Sequence, residues 1–210
     1  PAARTQMRRF PSASFWRAGV ARLLVAAGRT TQAREELEPL ARAGFADVPR
    51  DRGWLMTLAL AAEVAFATRD LRSSELLEQL LTPYAQLCVI AGTGLVYYGP
   101  VRHHLGIVAL ARARWDVAIG HFELALAAEG SAGARIWEAR TRIGCARALL
   151  GRGVAGDRPR AVNLVATASQ LARAGGWLDV AEEAREIESA VWTSRRGGPQ
   201  GGRLSGASES

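Results

Sequence analysis

Along this chain apolar residues return every three or four positions over long stretches, and runs of strict apolar–polar alternation are nearly absent. The first spacing lines one face of an α-helix; the second is what a half-buried strand requires. The pattern therefore predicts helices joined by short connections, with little from which to build a sheet. The connections are marked by Gly28, by Asp70-Leu71 and by the longer stretch from Gly151 to Pro159. Asp157 ahead of Pro159 is a helix-start signal, a capping carboxylate before a residue preset for the first turn.

The helical pattern repeats. Its clearest unit runs from about Gly99 to Glu129, with Leu105-Gly106 on a first helix, Trp115 at the turn, and Ala118, Phe122 and Ala125 on a second. These residues resemble the tetratricopeptide pattern, in which Leu-Gly is followed by an aromatic and then by Ala, Phe and Ala. Ala109 stands where the aromatic would be. Val20, Leu24, Ala33, Leu37 and Leu40 repeat the offsets upstream, as do Leu60, Val64, Ser73, Leu77 and Leu80; Ala161, Val165 and Ala168 form a fourth copy. Each copy predicts a helical hairpin. Small residues sit where its helices cross (Gly106 against Ala118 and Ala125, Ala21 against Ala33), and larger ones fill the space between hairpins. A single hairpin cannot bury both of its apolar faces, so stacking is obligatory. From Ala33 to Ser73 is 40 residues, from Ser73 to Ala118 is 45 and from Ala118 to Ala161 is 43. The tetratricopeptide period is about 34, so the array is degenerate, with extra residues in longer helices or loops.

The fold class expected is all-α, a tetratricopeptide-like α-α superhelix: a right-handed stack of about four helical hairpins plus a capping helix. The cap is the segment from Trp177 to Trp192, polar along Asp179, Glu182, Glu183 and Glu186 and apolar on the other side. Residues 12–192 form the repeat domain, 1–11 an extended lead-in, and 193–210, rich in Gly, Ser and Arg, a disordered tail. The first residue is Pro1 rather than Met, and a processed product or a piece of a longer protein is expected.

Composition changes this picture little. The 210 residues are 49% hydrophobic, enough to bury a core, and 22% charged. There is no Lys; all 27 basic residues are Arg, and the net charge is +7. A basic balance permits contact with nucleic acid, whose affinity would fall steeply with salt. Acidic helix faces and the Arg gathered in the end segments argue against it. Cys88 and Cys145 fall inside apolar helical patterns and are expected as small buried residues. With two cysteines, no leader and no apolar run long enough to span a bilayer, a cytoplasmic location is expected and a membrane partner is not.

The search for chemistry finds no catalytic, cofactor or metal constellation. His103 and His104 are adjacent, so on a helix they point about 100° apart and do not chelate one ion from one face; His121 lies on the partner helix. Gly92-Thr-Gly94 has no preceding strand and no following Lys, and reads as a helix connection. No Ser or Cys nucleophile motif is present. Trp16, Trp54, Trp115, Trp137 and Trp177 come about once per hairpin and are expected to pack at junctions. First helices should line a concave surface, and helical position puts Arg22, Leu58, Glu63, Tyr98, His103, Leu110 and Arg140 on it. Arginines there suit an acidic or C-terminal peptide segment.

From about Phe15 to Ala190 the chain resembles the C-terminal helical-repeat region of large bacterial signal-transduction ATPases, including LuxR-type regulators and proteins that join a nucleotide-cyclase domain to an ATPase. The resemblance is carried by Leu24-Val-Ala-Ala-Gly-Arg-Thr-Thr-Gln-Ala-Arg34 with Phe45-Ala-Asp-Val-Pro-Arg-Asp51. It is also carried by Arg69-Asp-Leu-Arg72 with Leu80-Leu-Thr-Pro-Tyr84, and by Leu105-Gly-Ile-Val-Ala109 with Trp115-Asp-Val-Ala118. It implies a non-catalytic interaction or sensor module whose partner is a protein or peptide, or the parent's adjoining ATPase domain. The alternatives are a free-standing peptide-docking scaffold and, less favoured, a basic nucleic-acid binder.

Overall fold

The computed structural model describes residues 14–91 and 96–196. Among the described residues there are nine α-helices: α1 (Ser14–Ala26), α2 (Thr30–Arg42), α3 (Trp54–Ala67), α4 (Leu71–Leu81), α5 (Val101–Ala111), α6 (Trp115–Ala132), α7 (Arg135–Arg152), α8 (Asp157–Gly175) and α9 (Leu178–Arg196). The chain is mostly helical, in four successive pairs followed by a last helix. The expected lead-in 1–11 and the Gly92-Thr93-Gly94 connection lie outside the described residues, as does the tail beyond residue 196. Helix α9 continues past Trp192 to Arg196, so residues 193–196 are helical and not part of a tail.

Each even-numbered helix packs on its odd-numbered partner and on the odd-numbered helix that follows. Each odd-numbered helix also touches the next odd-numbered one: α1 on α3, α3 on α5, α5 on α7, α7 on α9. The apolar interior falls into two clusters that meet on α5. Val101, Leu105 and Val108 belong to the first, Ile107, Ala109 and Leu110 to the second. Val20, Leu24, Ala33, Leu37, Leu60, Val64 and Leu77 are buried in the first. Ala118, Phe122, Ala161 and Val165 are buried in the second, Ala125 is fully buried and Trp115 is half-buried against it.

Glycines receive the large aromatics at the junctions. A Cβ on Gly106 would lie 2.6 Å from the Phe122 ring, and one on Gly144 would also lie 2.6 Å from it. Gly106 on α5 thus lies against the Phe122 ring, and that ring reaches the next hairpin at Gly144. Trp115 lies against Gly151 of α7 in the same way, at 2.8 Å from a built Cβ.

The turns repeat too. Two residues before α2, α4, α6 and α9 the backbone turns left-handed, at Gly28 (φ 72°), Arg69 (φ 54°), Ala113 (φ 55°) and Gly176 (φ 70°). The next residue then donates its N–H back to the preceding helix: Arg29 to the Leu24 carbonyl at 2.8 Å, Asp70 to Ala65 at 2.8 Å, Arg114 to Ala109 at 3.0 Å and Trp177 to Ala172 at 2.9 Å. This is the Schellman closure, which satisfies carbonyls that a helix end leaves open. Asp70 also caps α4, accepting from the Ser73 N–H at 3.0 Å.

One expectation fails between α4 and α5. After a 3-10 turn at Thr82–Tyr84, strands β1 (Cys88–Ala91) and β2 (Val96–Pro100) pair antiparallel, with Ile90 opposite Tyr97. Cys88 is therefore on a strand and exposed, not a buried helical residue; Cys145 is buried on α7. The hairpin is fixed from a distance. The Trp137 indole N–H donates to the Tyr97 carbonyl at 3.2 Å. The Trp137 ring also covers Gly99, whose φ of 82° and lack of room for a Cβ require glycine.

Candidate functional site

The odd-numbered helices share a cavity of about 230 Å³, lined by residues from all five of them. Helix α1 contributes Arg22 and Val25, and α3 contributes Glu63, Phe66 and Ala67. From α5 come His103 and Ile107; from α7, Arg140, Gly144 and Arg147; from α9, Glu183. Four of the seven residues placed on a concave surface by sequence are here: Arg22, Glu63, His103 and Arg140. Tyr98, half-buried on β2, stacks on His104 at 5.7 Å between centroids. Burial and then the nearby Glu63 carboxylate push its phenol far above the ordinary value.

Two expected groove residues are not on the surface. Leu58 is 0% exposed and Leu110 is 6% exposed, both inside the apolar clusters. Leu58 is five residues from Glu63, which turns it well away from that side chain's face. Leu110 is seven residues from His103 and shares its face, but α5 is the middle of the row: nine of its eleven residues are buried. Position on a face decides exposure only where nothing covers the face.

Apart from Glu183 on α9, a helix given no groove candidate, the residues that sequence reasoning missed lie one or two turns from those it found. Val25 is three after Arg22, Phe66 three after Glu63, Ile107 four after His103 and Arg147 seven after Arg140. Extending each candidate along its own helical stripe would have found them.

The charged groups are paired across helices. Arg22 Nε donates to Glu63 Oε2, joining α1 to α3. Arg140 donates to Asp179 at 2.6 Å and Arg147 to Glu183 at 2.5 Å, both joining α7 to α9. The Arg147 guanidinium also lies over the Phe66 ring of α3 at 5.9 Å, so α7 reaches across the cavity beside α5.

Beneath the floor runs a buried polar chain. His103 Nδ1 is 2.8 Å from Thr141 Oγ1, and that hydroxyl is 2.7 Å from Glu129 Oε1. Burial, aided by His104 and Arg140, holds His103 well below the ordinary imidazole value, so the ring is neutral. Burial also pushes the Glu129 carboxyl up to about 8; the nearby Glu138 adds to this, while Thr141 and Arg142 oppose it. His104 is neutral for the same reason of burial, with one ring nitrogen 3.0 Å from the Tyr98 carbonyl.

His121 does not pair with another histidine; its ring contacts Arg102 at 3.3 Å. No group of three or more His, Cys, Asp or Glu that could hold a metal ion occurs among the described residues. None of their helices is long and apolar enough to cross a membrane. Comparison of the chain with family models, with curated proteins and with solved structures found no match.

Proposed function

We propose that this chain is a non-catalytic interaction or sensor module, a tetratricopeptide-like right-handed stack of helical hairpins, working within a larger bacterial signal-transduction ATPase. The observation that carries the reading is the single cavity to which α1, α3, α5, α7 and α9 each contribute side chains. A ligand seated there touches every hairpin and the last helix. Its binding energy can then bias the spacing of the whole row, which is what a sensor requires. The repeated Schellman turns and the contacts between successive odd-numbered helices support the stacked-hairpin reading. The sequence resemblance supplies the ATPase context, and the arginines suit an anionic group on the partner.

The test joins this chain to the ATPase region of its parent. Deleting residues 12–192 should change the basal ATPase rate or abolish its response to effector, and the isolated chain should capture the ATPase region in a pull-down. An unchanged rate together with no capture would refute the proposal.

A further inference from the structure

The cavity's most distinctive contact is His103, the only cavity residue whose outer hydrogen-bonding atom is set by a buried chain of partners. Thr141 has one proton to give, so the chain His103–Thr141–Glu129 can run in two directions. With Glu129 ionised, Thr141 donates to it, His103 Nδ1–H donates to Thr141, and Nε2 is left as a bare acceptor. With Glu129 protonated on Oε1, Glu129 donates to Thr141, Thr141 donates to Nδ1, and Nε2 carries a proton that it can donate outward.

The surroundings select the second arrangement. Glu129 is fully buried, and its Oε2 has no partner. It sits in the last turn of α6, where the helix end is itself negative. Arg142, the cation that acts on it, is engaged by Glu138 at 2.8 Å, and from β2 the facing group is the Tyr97 phenol, which brings no positive charge. An ionised carboxylate there would be buried with the Thr141 hydroxyl as donor to Oε1 and nothing on Oε2, too little to replace its hydration. The raised titration of Glu129 agrees with this. Around His103 the other titratable groups are neutral His104 on α5 and cationic Arg140 on α7.

The floor thus presents a donor. Arg22, Arg140 and Arg147 surround it with further N–H groups, since each of their ion pairs uses only part of a guanidinium. Of the two cavity carboxylates, Glu63 pairs with Arg22 through Oε2 while its Oε1 is buried without a partner, and Glu183 pairs with Arg147. Val25, Phe66 and Ile107 supply apolar wall. The volume of about 230 Å³ lies below the about 300–1,000 Å³ of sites that hold drug-sized ligands.

Building on the cavity as ligand site, we propose that it takes a small organic carboxylate with a short apolar body, one oxygen accepting a hydrogen bond from His103 Nε2–H. Thr141 and Glu129 are positioning residues that hold His103 in its donating tautomer.

Isovalerate and phenylacetate are the probes, titrated calorimetrically into the 210-residue chain, with isoamylamine and inorganic phosphate as comparators. At about pH 6.5 the carboxylates should bind saturably and the amine should not. At about pH 9 wild-type affinity should fall at least about tenfold as Glu129 ionises and the chain of bonds reverses. Glu129→Gln keeps a donor toward Thr141, so it should bind like wild type and lose that pH dependence. Thr141→Val should weaken binding about tenfold, and Thr141→Ser should restore it. Absence of saturable carboxylate binding to the wild-type chain, equal binding of the amine, phosphate binding in preference to both carboxylates, or an unchanged pH profile in Glu129→Gln overturns the proposal. If the carboxylates fail but the ATPase region is still captured, the sensor reading stands and only the ligand assignment falls.

Discussion

The cavity floor and the outer seams of the row each hold glutamates that hydrogen-bond across helices, and the two behave differently. Along the seams, ion pairs join α4 and α6 to the next hairpin: Glu78 of α4 takes Arg112 and Arg114, Asp116 of α6 takes Arg152 at 2.7 Å, and Glu123 of α6 takes Arg160. Water reaches every one of these pairs; the Arg160 and Glu123 side chains are each 47% exposed, and Glu78, the most covered, is 17% exposed. On the floor, Glu129, Thr141 and His103 are buried, the carboxyl is displaced toward its neutral form, and a polar atom is left without a partner. Water levels the seam interactions and leaves their side chains interchangeable, whereas its exclusion at the floor makes the protonation of one carboxyl matter.

The sharpest test is Phe122→Ala, which empties the space beneath the floor between Gly106 and Gly144. It should cost about 3–5 kcal/mol by urea unfolding. Gly144→Ala, which forces a Cβ onto the same ring, should also destabilise, by about 1–3 kcal/mol. A small effect from both would mean that the floor is as forgiving as the seams.

Next in size is the pH dependence of stability. The Glu129 carboxyl is raised in the folded chain from an ordinary value near 4.5 to about 8. Its contribution is therefore intact below about pH 4.5, declines as pH rises toward about 8, and is lost above that. Glu129→Gln should flatten this decline, with a gain over wild type near about pH 9 of about 3 kcal/mol. Parallel wild-type and variant profiles between about pH 5 and about pH 9 would remove the distinction between floor and seam.

Smaller effects belong to the seams. Ala113→Gly or Arg69→Gly relieves a left-handed residue and should stabilise by about 0.5–1 kcal/mol in thermal unfolding. Glu123→Gln should change stability by less than about 1 kcal/mol, and by less still in high salt. A seam substitution that costs as much as Phe122→Ala would show those pairs to be structural after all.

The contrast also marks how far the sequence could be read. Helix pairing was legible because Ala33, Ser73, Ala118 and Ala161 recur at one position of each second helix, and all four are buried. Arg22, Glu63, His103 and Arg140 were legible because a helical stripe is a local property. Leu110 was misplaced because its covering comes from other helices, and Leu58 because five residues turn it off the Glu63 stripe. Glu129 and Thr141 were invisible as partners, since they meet only when α6 and α7 fold back on one another. The β-hairpin was missed because its strands are too short to show alternation, and Trp137, far along the chain, holds β2.

Helix α5 belongs to both apolar clusters, and this shapes how the molecule comes apart. Fraying that begins at α1 or at α9 must halt at α5 until both sides yield, so amide exchange should be slowest there and faster toward either end. His103 therefore rides on the last segment to melt, and the cavity floor keeps its shape while the outer helices breathe.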